Sequence, residues 1–72
     1  MQLHSAELQQ KIAACLHKLP QRQADVFVLS KIEGLTTEKI ALILDCSKQT
    51  VRVHLHRAIK KLAAELKNYL NL

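Results

Sequence analysis

A single glycine, Gly34, and a single proline, Pro20, punctuate 72 residues, and this scarcity of turn formers is the tightest limit on what the chain can fold into. A small sandwich or barrel needs turn residues about every 8 to 12 positions to reverse its strands, and they are absent. Helices need only caps at their ends. The apolar residues point the same way: there is no Trp, one Phe and one Tyr, so the interior must be aliphatic, from Leu, Ile, Val and Ala. The expected fold class is all-α, a small four-helix domain with a C-terminal helix-turn-helix. Seventy-two residues suffice for one domain over 1–72, burying about 60% of its unfolded surface.

The apolar spacing predicts four helices. The first runs from about Ser5, an N-cap, to His17, with Leu8, Ile12, Cys15 and Leu16 on one face. Pro20 fits a first helical position, so a second helix should run to about Glu33, with Val26, Leu29 and Ile32 as its buried stripe and Phe27 beside them. Gly34 follows as a left-handed cap. Thr36 caps a short third helix that turns Ile40, Ala41 and Leu44 inward and ends near Leu44. Asp45 and Cys46 then lead to Ser47, the N-cap of a long fourth helix. On that helix Val51, Leu55, Ala58, Ile59, Leu62 and Leu66 share one side, and Gln49, Arg52, Val53, His56, Arg57 and Lys60 lie opposite. Past Leu66 the periodicity weakens, and the end is expected to fray or to continue into something further.

The charge is confined to the same helix. The net charge is +5, yet between Ser47 and Ala64 the cations Lys48, Arg52, Arg57, Lys60 and Lys61 occur without an acid, while acids and cations balance elsewhere. A basic stripe on an otherwise neutral domain suits a binder of phosphate backbones. The competing reading is a solvated face, which is the even alternative for Lys60 and Lys61.

Two helices joined by a three-residue turn, the second basic and capped by Ser47, make a helix-turn-helix over about 36–66. Ala41 is small where the two helices must cross closely. Asp45 stands at the turn position that favours a left-handed backbone, where glycine is most common; aspartate also visits that region. With the N-terminal half of the fourth helix in a major groove, Arg52 and Arg57 reach guanine edges or phosphates, and Gln49 pairs with adenine.

At this level of detail the chain resembles a known family. The run Leu19-Pro20-Gln21-Arg22-Gln23-Ala24-Asp25-Val26-Phe27-Val28-Leu29, then Glu33-Gly34-Leu35-Thr36, Ile40-Ala41, Thr50-Val51-Arg52 and Leu55-His56-Arg57-Ala58, is similar to region 4 of sigma-70 family RNA polymerase sigma factors. The extracytoplasmic-function type is the nearest match, over about Leu16 to Leu66. The resemblance implies recognition of the promoter's minus-35 element in double-stranded DNA, docking on the flap of the RNA polymerase beta subunit, and in some cases capture by an anti-sigma factor. It places the base-reading positions on Arg52, Val53, His56 and Arg57, with Lys48, Gln49 and His54 nearby and Thr36, Thr37 and Lys39 near the backbone. Lys60 joins them as a phosphate contact. Val53 departs from the serine common in the family and His54 from the arginine, so one polar contact is lost and one cation becomes pH-dependent. Val53 touches either a thymine methyl or the sugar edge.

Other chemistries fit less well. His54 and His56, two apart on a helix, point about 200° from each other and cannot share an ion; Cys15 with His17 has the same flaw, and His4 lies near a chain end. No metal site and no cofactor are expected. Cys15 and Cys46 read as small buried hydrophobes, reduced in a cytoplasm, rather than as a disulfide framework. No nucleophile sits beside a base, no carboxylates pair, and no glycine-rich loop exists, so no enzyme activity is expected. No segment approaches a membrane span or a secretory signal, so a soluble, cytoplasmic protein is expected. Two alternatives stay open: the effector domain of a dimeric quorum-sensing or response-regulator type, and a module whose basic helix binds an acidic protein. The chain is expected to be an excised domain, since nothing in it corresponds to the separate region 2 of such factors; a small stand-alone regulator is the alternative.

Overall fold

The computed structural model describes the backbone of residues 5–70 and the side chains of residues 6–68. Helix α1 spans Ser5–His17, α2 spans Gln21–Phe27 and continues into a π-helical turn at Val28–Ile32, α3 spans Thr37–Leu44, and α4 spans Lys48–Leu70. Among the described residues no strand occurs. The 23 residues of α4 reach about 35 Å at 1.5 Å each and set the long dimension of 37 Å. Helices α1, α2 and α3 all pack on α4, and α2 does so most extensively.

The helix ends are fixed by local chemistry. Pro20 sits one position earlier than expected: it is the N-cap of α2, with φ −54° and ψ 144°, and its carbonyl accepts from Ala24 N at 3.1 Å. Thr36 caps α3 as predicted, its Oγ1 accepting from Lys39 N at 3.2 Å. Helix α3 stops at Asp45, which is left-handed at φ 55° and ψ 54°. There Asp45 N donates to Leu42 O and Cys46 N to Ala41 O, the paired closure that a left-handed residue permits. Ser47 caps α4, its Oγ accepting from Thr50 N at 3.0 Å and donating to Thr50 Oγ1 at 2.9 Å. The Ser5 cap falls outside the described side chains.

Val26, Ile40 and Val51 are fully buried and meet Ala41, so α2, α3 and the first turn of α4 share one nucleus. Leu29, Leu35, Leu44, Cys46 and Leu55 pack around it. Further along α4, Ala58 and Leu62 are buried, and Cys15 brings α1 into the interior. Cys46 is half-buried, less covered than expected; both cysteines are free thiols. An exposed Lys18–Glu65 pair at 3.6 Å also links the end of α1 to α4.

Two further expectations need correction. Ile32, predicted to be buried, is 60% exposed. The π turn explains it: Glu33 N donates five residues back to Val28 O, and Leu35 N six back to Leu29 O across Gly34 at φ 75°. A wider turn advances less per residue, so the buried phase slips before the helix ends. Ile59 is 41% exposed because it lies about 80° round α4 from Val51, at the edge of the apolar stripe. Past Leu66, where the chain is expected to fray or to continue into something further, α4 runs on to Leu70.

Candidate nucleic-acid interface

Burial of Val51, Ala58 and Leu62 fixes the rotation of α4, and the rest of the helix surface follows from it. Gln49, Arg52, Val53, His56, Arg57 and Lys60 are all exposed, as the periodicity required. Lys48 is exposed at the helix start, and Thr36 and Lys39 are exposed at the start of α3. Thr37 is half-buried in the first turn of α3.

His54 departs from the set. It is half-buried, and its Nδ1 is covered without a hydrogen-bond partner. Residue 54 lies on the flank of α4 between the core stripe and the outer face, about 60° from Val51, so it is not presented with Arg52 and His56.

The face is positive because its cations are left uncompensated. Lys48 pairs with Glu38 at 3.9 Å, with both side chains more than half exposed, so water screens the interaction. Among the described residues Arg52, Arg57, Lys60 and Lys61 stand in no ion pair. Charges that a protein leaves unpaired along one helix attract polyanions and raise association rates. An α-helix with exposed Arg, Gln and His side chains on its first three turns has the width and the donors to enter a major groove.

Sequence reasoning missed two features. Gln23 is buried in α2 at 7% exposure, with Oε1 lacking a partner, and it borders a cleft with Arg57, Lys60, Lys61 and Ala64. No pattern in the sequence marks it, since a lone glutamine beside charged residues reads as surface. An apolar groove between α1 and the end of α2, lined by Ile12, Leu16, Phe27 and Ile32, arises from the π turn and has no local signal. Among the described residues no group of three or more His, Cys, Asp or Glu could hold a metal ion, and no helix is long and apolar enough to cross a membrane.

The comparisons with known proteins agree with this geometry. A family model described as "Sigma-70, region 4" matches residues 9–62, which include most of α1, all of α2 and α3, and the outward basic face of α4. The match begins earlier than the motifs from Leu16 onward indicate. The ECF RNA polymerase sigma-E factor of Haemophilus influenzae (strain ATCC 51907 / DSM 11121 / KW20 / Rd) is similar to this chain, 39% identical over 54 residues. That alignment takes in 75% of this chain and 29% of the relative, so the chain spans less than a third of that protein's length. Neither comparison favours the dimeric-regulator alternative. With its capped helix-turn-helix and the match over 9–62, the chain belongs to the sigma-70 region 4 family.

Proposed function

We propose that this chain, as one domain over 1–72, binds the minus-35 element of promoter DNA and so directs RNA polymerase in transcription initiation. The observation that carries the reading is the unpaired basic face of α4, turned outward by the burial of Val51, Ala58 and Leu62. In this reading Arg52, Val53, His56 and Arg57 contact base edges with Lys48 and Gln49 beside them. Thr36, Thr37, Lys39 and Lys60 meet the backbone, and His54 contributes from the flank. The role is binding rather than catalysis, and it places the protein in the cytoplasm with the DNA.

Docking on the flap of the polymerase beta subunit would use a different surface. The groove of Ile12, Leu16, Phe27 and Ile32 is apolar, and none of its lining residues belongs to the basic face, which supports simultaneous use of both. An anti-sigma factor presenting carboxylates would instead compete with DNA for Arg52 and Arg57.

A salt titration of duplex binding tests the proposal. Affinity should fall with salt at a slope near −0.9 per neutralised phosphate, and a particular sequence should be preferred. Arg57→Ala should cost about 1 to 3 kcal/mol and relax preference at one base pair, whereas Lys60→Ala should weaken all sequences alike. Affinity for an acidic protein without any duplex preference would defeat it.

A further inference from the structure

Gln23, in the first turn of α2, is 7% exposed, and its Oε1 is covered without a hydrogen-bond partner. A buried carbonyl oxygen without a donor is destabilising, and a leucine of similar size would pack there without that loss. What such an acceptor lacks is an N–H group. The side chain borders an open cleft against α4, along which stand Arg57, Lys60, Lys61 and Ala64. Among the described residues these three cations stand in no ion pair. Their positions round α4 separate them. Lys60 lies half a turn from Val51, at the middle of the outward face, while Lys61 lies on the flank and also borders a hollow with Cys15, Lys18 and Glu65. Arg57 falls between the two, about 60° from Lys60 and about 40° from Lys61. Of the four positions assigned to base edges, only Arg57 borders the cleft with Gln23.

We infer that Gln23 is a positioning residue for base recognition: on DNA its Oε1 accepts from the Nε–H of Arg57 and holds the guanidinium plane with its Nη atoms toward a guanine edge. The inference rests on the DNA-binding reading above. Arginine has the donors for both tasks, since it carries five N–H groups in one rigid plane and a guanine edge engages two of them. A lysine ammonium on its flexible stem has no second edge to anchor. The last torsion of a glutamine is soft, so Oε1 turns into the cleft without any movement of α2. Of the helices packed on α4, α2 is the one in most extensive contact, so Gln23 gives Arg57 a fixed reference. A guanidinium tilted away from the base loses its bidentate pair but keeps its charge. Gln23 therefore governs base preference and leaves the attraction to phosphates as it is.

The test uses the 72-residue chain, a short duplex recovered by selection from a random pool, and the same duplex carrying the other base pairs at the position whose preference Arg57→Ala relaxes. Discrimination is a ratio of two affinities of one preparation, so partial unfolding of a variant cancels. Gln23→Leu should melt at or above the parent temperature and lower discrimination at that base pair by about three- to tenfold, with the other base pairs and the salt slope unchanged. Gln23→Glu, which keeps an acceptor at the same reach, should retain the parent's discrimination. In an Arg57→Ala background Gln23→Leu should change nothing further, whereas with Lys61→Gln its effect should be independent. Parental discrimination by Gln23→Leu, with Arg57→Ala still relaxing its base pair, would overturn the inference and leave the DNA reading standing. Equal losses at every base pair, or a loss that persists without Arg57, would assign Gln23 to the packing of α2 alone and overturn it too. If Arg57→Ala relaxes no base pair, the reading itself has failed and the inference falls with it.

Discussion

Val51 and Ile59 read alike in the sequence, both on the apolar stripe of α4, and alanine at each should separate them by about 1 kcal/mol. Val51 is 1% exposed and meets Val26, Ile40 and Ala41, so Val51→Ala removes two buried carbons and leaves a cavity between three helices. Transfer contributes about 1.6 kcal/mol, the cavity adds to it, and the better helix propensity of alanine returns about 0.5, for a net loss near 2 kcal/mol. Ile59→Ala removes three carbons, but at 41% exposure the site is open to solvent and no cavity forms, so the net loss is about 1 kcal/mol or less. A chain of 72 residues has about 4 to 11 kcal/mol in all, so the first change takes a large share of it. Urea unfolding followed by far-UV circular dichroism measures both, with an unchanged m-value as the check that the transition keeps its character. A cost for Ile59→Ala equal to or above that for Val51→Ala would refute the rotation of α4 described here, and with it the outward direction of Arg52 and Arg57.

Ser47→Ala should destabilise by about 1 kcal/mol in thermal unfolding, because Thr50 N loses its acceptor at the start of α4. Asp45→Gly should leave stability unchanged or raised, while Asp45→Val should cost about 1 to 2 kcal/mol, since the left-handed backbone at φ 55° excludes a β-branched residue. Glu38→Gln should shift stability by no more than about 0.5 kcal/mol, and by freeing Lys48 it should tighten duplex binding at low salt and not at high salt.

The parts of the structure that are legible in the sequence are those that one or two residues decide locally. Thr36 and Ser47 cap because a hydroxyl reaches the amide three positions on, and Gly34 and Asp45 end their helices because few residues tolerate positive φ. The separation of charged and apolar faces on α4 follows from 3.6-residue periodicity, which also brings out the exposed site residues. What the sequence hides depends on neighbours. The π turn at Val28–Ile32 shifts phase without a marker residue, so periodicity alone misplaces Ile32. Ile59 is misplaced because a stripe read by periodicity does not reveal which of its edges another helix covers. His54 lies between the two faces, where periodicity does not choose a side, and Gln23 becomes buried only through the packing of α2 against α4.

Contact between the outer face of α4 and duplex DNA can be read residue by residue from amide chemical shifts recorded with a selected duplex. The largest changes should fall on residues 47–61, at the cap and first half of α4, and on 36–39 at the start of α3. Changes confined to the groove of Ile12, Leu16, Phe27 and Ile32, with Arg52, His56 and Arg57 unmoved, would contradict it.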